Sequence, residues 1–165
     1  MKPGRMLRHL FATRWRARQH FTRGVLDQIE AAIHDVESRH SGEIRFVIEA
    51  GLDLEQLWQR LTPRARAVQV FSHLRVWDTA ANNGVLIYVL LADRDVEILA
   101  DRGVAARVPQ EQWERICREI EAHYREARFA QGSVAGVLSV GKLLAHHFPR
   151  HGGDADELPN QPVLL

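Results

Sequence analysis

The chain is poor in cysteine, methionine and aromatic residues: one Cys, two Met and 7% Phe, Trp and Tyr in 165 residues. A single cysteine, Cys117, excludes an internal disulfide and any metal centre built from several thiolates. That usage fits a reducing compartment. No apolar stretch approaches the ~20 residues that cross a bilayer. Acid is absent from residues 1–26, which hold seven of the 22 Lys and Arg, leaving 15 basic groups against all 21 acids in the rest. The net charge of +1 therefore conceals a basic arm of +7 on a body of −6. The acidic body lacks a basic, aromatic-lined strand face, which argues against nucleic acid as a partner.

What is present is enough for one domain with a real core. Its clearest segment is NNGVLIYVLLADRDVEILADRG, residues 82–103. The turn former Asn83-Gly84 opens an apolar run from Val85 to Ala92, and Asp93-Arg94-Asp95 breaks it. Val96 to Ala100 then returns before Asp101-Arg102-Gly103. A run of eight, too evenly apolar for a surface strand, predicts a strand buried on both faces. Glu43 to Ala50 alternates, with Ile44, Phe46 and Ile48 on one side, and reads as another strand.

Helical spacing marks the segments between. Val25, Leu26, Ile29, Ala32, Ile33 and Val36 form one stripe. Asp53 caps a short helix, and Thr62-Pro63 starts the next. Pro109 opens a long helix whose face carries Trp113, Ile116, Cys117, Ile120 and Tyr124, so Cys117 reads as a buried thiol rather than a nucleophile. Ser133 is read as the cap of a last helix ending at Pro149. Trp58, Trp77 and Trp113 lie in or beside apolar faces and read as packing residues. Three regions follow: a basic arm over 1–24, an α/β domain over 25–149 and a loose tail over 150–165.

Two strands joined through helix should be parallel, and the second and third should form an antiparallel hairpin. The expected fold is an α/β/α sandwich, a small mixed β-sheet with helices on both faces. This topology separates the polar residues into two rims. Glu49 lies with the turn Asp93, Arg94 and Asp95 at one end; Asp78, Asn82, Asn83 and Asp101 collect at the other with Arg102. Carboxylate and amide oxygens in that second set are hard donors of the type calcium or magnesium takes. The plain alternative is that Asn83-Gly84 is a turn, Asp78 a cap and Asp101 a partner for Arg102 or Arg107.

Other patterns lead nowhere. GVLSVGK, residues 136–142, has phosphate-loop spacing, but Leu143 stands where Ser or Thr must hold magnesium and the periodicity is helical. Gly132-Ser133 lacks the G-x-S-x-G spacing of a nucleophile elbow. The nine histidines contain no H-E-x-x-H pair. His146 and His147 suit a helix C-terminus, and with His151 would make only an adventitious metal site. In the arm, Met6, Leu7, Leu10, Phe11 and Trp15 fall near helical spacing between arginines. It is either an interfacial helix that meets anionic lipid through Arg5, Arg8, Arg14, Arg16 and Arg18, or a helix packed on its own acidic body. It lacks the apolar core and cleavage site of a secretory signal.

The order of elements resembles the TPM domain family, which includes thylakoid-lumen phosphatase-like proteins and bacterial envelope proteins. The likeness runs from about residue 25 to 148. It rests on SGEIRFVIEA at 41–50, the helix leading to Phe71, NNGVLIYVLLADRDVEI at 82–98, DRGV at 101–104 and RFAQGSVAGV at 128–137. It implies an α/β/α sandwich and, for some members, divalent metal binding and acid phosphatase activity. In the family's D-x-x-x-D-N-G pattern Asp78 matches the first acid, whereas Asn82 replaces the second. Ala92 stands for one acid of the turn pair before Asp93, and Leu99 for a glutamate of the third strand. Fewer carboxylates mean weaker affinity for calcium or magnesium and fewer acid–base groups. The expectation is a non-catalytic accessory module with an unknown protein partner and a weakened or absent metal site. The alternatives are a low-activity metal-dependent phosphatase, with Asp78, Asn83, Asp93 and Asp101 as its candidate groups, and a peripheral membrane binder. Relatives carry export signals and anchors that this chain lacks, so a cytoplasmic location is expected.

Overall fold

The computed structural model describes residues 3–150 and 156–165; His151 and Gly152-Gly153 fall outside them. Four strands form one mixed sheet: β1 (Glu43–Glu49), β2 (Gly84–Leu90), β3 (Asp95–Ala100) and β4 (Val163–Leu164), in the order β3-β2-β1-β4. β1 and β2 are parallel, and β2 and β3 are antiparallel. Every residue of β1 and β2 is buried, as the evenly apolar run predicts for central strands covered on both sides.

Alternation along the strands sends side chains to two cores. Ile44, Phe46, Ile48, Val85, Ile87 and Val89 face one, covered by α3 (Arg23–Glu37), α7 (Gln110–Arg125) and α8 (Phe129–His147). Val47, Leu86, Tyr88 and Leu90 face the other, under α4 (Leu54–Trp58) and α5 (Pro63–His73). The α/β/α sandwich is therefore present. Caps form as the sequence implies: Asp53 and Gln56 make a capping box on α4, and Thr62 accepts from Ala65 N–H with Pro63 at the start of α5. Burial pushes the Cys117 thiol up to about 12, which leaves it without thiolate character. The GVLSVGK glycines lie within α8, where Gly136 meets Ile120 and Gly141 meets Val36, so they serve close helix packing.

Three readings are corrected, and one element is added. Residues 156–165 are not a loose tail. Val163 and Leu164 add to β1 as a parallel edge strand, Leu158 and Leu165 pack on the second core, and Leu165 N–H donates to Ile48 O at 2.9 Å. Two paired residues are too few to show alternation, so no periodic signal marks them. α8 begins at Phe129, because Ala127 at φ 57° has already made the turn. Ser133 is then interior, its Oγ donating to Phe129 O and bonded to Tyr124 Oη. Trp58 and Trp77 are exposed, whereas Trp113 is buried. A four-residue helix, α6 (Arg102–Ala105), follows β3 directly, capped by Asp101.

The arm forms two helices, α1 (Pro3–Phe11) and α2 (Arg14–His20), with Thr13 as the cap between them. Among the described residues no helix is long and apolar enough to cross a membrane.

Candidate functional site

At the amino end of β2, the loop from Val76 to Asn83 folds against the exit of β3. Asn82 takes φ 51°, a left-handed conformation that asparagine tolerates better than most residues. Its carbonyl accepts Gly103 N–H at 3.0 Å, and its Oδ1 accepts Arg102 Nε at 2.7 Å. Asn83 is buried. Its N–H donates to Thr79 Oγ1, its Nδ2 donates to Ser41 O at 2.5 Å, and its carbonyl accepts Glu43 N–H. Asp101 is also buried: its N–H donates to Gly84 O at 2.8 Å and its Oδ1 accepts Arg102 N–H at 2.7 Å.

The fold thus brings Asn82, Asn83 and Asp101 around one loop junction. Asp78 is different. It sits on an exposed turn, and no hydrogen bond ties its carboxylate to the other three among the described residues. Two oxygens of the set, Asn83 Oδ1 and Asp101 Oδ2, are buried without a partner. Such oxygens are the right type for a hard cation. The set is low in negative charge. It holds a single gathered carboxylate, and the Arg102 guanidinium already occupies Asn82 Oδ1 with a positive charge. A cation entering there would meet repulsion where the family pattern has a second acid. Sequence reasoning placed Arg102 on this rim without its role; a DR pair right after a strand is the signal that Asp101 caps and Arg102 turns back.

The opposite rim is closed by ion pairs. Glu49 is buried, accepts from Tyr88 Oη at 2.5 Å and takes both Nε and Nη2 of Arg66. Burial first, then the Glu49 charge, holds the Tyr88 phenol far above its ordinary range. In the hairpin turn, Asp93 receives Arg5 through Nε at 3.0 Å and Nη2 at 2.7 Å. His9 Nε2 lies 3.0 Å from Asp93 Oδ1, while its Nδ1 accepts Leu52 N–H at 2.9 Å. Arg8 Nε donates to Ala92 O. Burial alone would push Asp93 up; hydrogen bonds from His9 and Arg5 and the attraction of the Arg5 charge outweigh it and hold the carboxyl well below the usual range.

β2 has seven residues, so Asp93 stands roughly 20 Å from Asn83 and Asp101. The four groups Asp78, Asn83, Asp93 and Asp101 cannot serve one centre. Arg5 is also withdrawn from any lipid-facing set, because its guanidinium is engaged by Asp93. This clamp is silent in the sequence: Arg5 and Asp93 are 88 residues apart.

The clamp fixes the orientation of α1. Arg5 and the buried His9 face the body, so the apolar face turns outward. Leu7, Leu10, Phe11 and, on α2, Trp15 are 54%, 50%, 61% and 67% exposed. This inverts the usual arrangement, in which the apolar stripe faces the core. Beside it runs an open groove of about 750 Å³ along the carboxyl ends of β1 and β2, lined in part by Leu7, Phe11, Arg16 and Arg94. Among the described residues neither Arg16 nor Arg94 has a side-chain partner.

The TPM domain matches residues 17–143. The chain is similar to the BA42 protein of the psychrophilic bacterium Bizionia argentinensis, solved by NMR: 33% identity, 87% of this chain and 94% of that one covered, TM-score 0.77. It shares its fold with the N-terminal domain of a protein from P. gingivalis, also solved in solution, at 23% identity over 73% of this chain and 76% of that one, TM-score 0.56. No curated protein matches the sequence.

Proposed function

The chain belongs to the TPM domain family, and from that premise we propose that it is a non-catalytic accessory module that docks on an anionic membrane surface through α1 and α2. The outward apolar face of α1 carries this reading. Leu7, Leu10, Phe11 and Trp15 are half or more exposed, and Arg14, Arg16 and Arg18 flank them without an acid in the segment. An amphipathic helix of this kind lies in the interface plane, apolar side chains among the acyl chains and guanidinium groups at the headgroups. Trp15 has the apolar body and polar N–H that suit headgroup level. The cytoplasmic leaflet supplies the anionic lipid.

Flotation with anionic and zwitterionic vesicles tests this. Binding should be confined to anionic vesicles and weaken with salt. Each arginine contributes about 1 kcal/mol at such a surface, so neutralising Arg14, Arg16 and Arg18 together should weaken binding roughly a hundredfold. Leu7→Ser with Phe11→Ser should remove about 2–3 kcal/mol of burial without unfolding the domain, since both side chains are already exposed. No flotation at low salt ends the proposal.

The non-catalytic half is supported by the Arg102–Asn82 contact, which sets a cation against the metal ligands a phosphatase would need. Hydrolysis of p-nitrophenyl phosphate with calcium, magnesium or manganese should stay at background. Robust turnover that disappears in Asp101→Asn would restore the phosphatase reading.

A further inference from the structure

A third polar cluster lies at the head of β1, apart from both rims. Glu37 from the last turn of α3, Glu43 at the start of β1 and Asp156 from the C-terminal segment each place a carboxylate oxygen within 4.8 Å of the others. Glu37 and Glu43 are more than nine-tenths buried, and Asp156 closes the cluster on the solvent side. His40 lines the same cavity, of about 250 Å³, and is 2% exposed. Neither of its ring nitrogens closes a hydrogen bond among the described residues.

Glu37 Oε2 and the His40 nitrogens are left without a partner, whereas Glu43 accepts from the backbone of Leu158 and Glu157. Glu37 Oε1 accepts Ile44 N–H at 2.8 Å, but Oε2 is buried with no partner. Glu43 Oε2 accepts Leu158 N–H at 3.1 Å. Arg45, the buried cation near Glu37, directs Nη1 to the carbonyls of Pro159 and Gln161 instead. Arg150 Nη1 donates to the Glu37 carbonyl. Like charges this close and this buried require either shared protons or a cation. With protons alone, burial foremost and the neighbouring acids in addition push Glu37 up to about 8 and Glu43 to about 7.

We propose that Glu37, Glu43 and Asp156 form a binding site for a divalent metal ion that takes oxygen ligands, Mn²⁺, Mg²⁺ or Ca²⁺, with His40 beside them in the same cavity. The donor set decides the class. Three carboxylates offer oxygen donors alone, the set that manganese, magnesium and calcium take and that does not favour zinc. The cavity has room for one ion and its water. The exposed Asp156 carboxylate gives the ion its way in. This site is independent of membrane docking and does not use Asp78, Asn82, Asn83 or Asp101.

Isothermal calorimetry and thermal melts of the full chain with Mn²⁺, Zn²⁺, Mg²⁺ and Ca²⁺ test it. Mn²⁺, Mg²⁺ or Ca²⁺ should bind one to one, more tightly than Zn²⁺, and raise the melting temperature by about 5–10 °C at a hundredfold excess over Kd. Asp156→Asn, on the surface, and Glu37→Gln, which keeps an oxygen for Ile44 N–H, should each weaken binding more than tenfold while the metal-free protein stays folded. Asp101→Asn should bind as the natural chain does. No heat and no thermal shift with any of the four ions overturns the site. So does binding that survives Glu37→Gln and Asp156→Asn but is lost in Asp101→Asn, or in His146→Ala with His147→Ala.

Discussion

Gly84→Ala lowers the melting temperature by roughly 10 °C, the largest effect expected of any single methyl group in this protein. A Cβ at position 84 would lie 1.9 Å from the Val76 carbonyl oxygen and 3.0 Å from its carbon. Both are backbone atoms, so no rotamer change relieves the clash. Gly84 is also held on two other sides: it pairs with Glu43 in β1, and its carbonyl accepts Asp101 N–H. Either the 76–83 loop lifts off or the start of β2 shifts. Overpacking of this kind costs about 3 kcal/mol, and a chain of this size loses about 2–4 °C per kcal/mol. Gly24→Ala is the control. Nothing lies within 4 Å of its would-be Cβ, and it sits in the first turn of α3, so alanine should be neutral or stabilise by up to ~1 kcal/mol. Melting of Gly84→Ala within 2 °C of the natural chain would show that the loop does not lock the strand.

Asp93→Ala should release α1 and leave the domain folded. The carboxylate joins Arg5, Arg8 and His9 to the hairpin turn, and Asp93 is itself mostly buried. Removing one partner of such a cluster leaves the others facing a hole, at about 3 kcal/mol. α1 cannot resist that. Its apolar side chains face solvent, and His9 is its only buried residue described, so its opening free energy is small beside that of the core. Amide exchange of residues 5–11 should accelerate roughly a hundredfold, with the main melting transition moved by less than about 2 °C. Acid acts in the same direction. The folded Asp93 lies below its ordinary value of 3.8, so its contribution is complete above that value and is lost as pH falls through the folded one. Lipid binding should survive Asp93→Ala, because an interfacial helix refolds at the bilayer. Unchanged protection of residues 5–11 in the variant would refute the clamp.

How much was legible follows from the range of each signal. The parallel pair, the hairpin and the two-faced core were readable because apolar periodicity is local: Val85 to Leu90 carries its own evidence of burial. Caps at Asp53 and Thr62 were readable for the same reason. β4 was not, since two residues have no period. A cap at Ser133 places α8 five residues late, because Ser133 has the chemistry of a cap and only its hydrogen bonds to Phe129 and Tyr124 show it to be interior. Trp58 sits at helical spacing with Leu54 and Leu61 yet points outward, because a five-residue helix buries only one side.

By itself, then, the sequence determined the three longer strands and most of the helices, which end of β2 each polar residue joins, and the basic charge of the arm. The partners were decided by tertiary structure alone. Arg5 finds Asp93 across 88 residues, Arg102 reaches Asn82 across 20, and Glu37, Glu43 and Asp156 converge from a helix, a strand and the far end of the chain. Burial follows from the period of side chains along one element, which the sequence writes out. A contact between charged side chains follows from the path of the backbone between them, which exists only once the hydrophobic cores have set the elements in place.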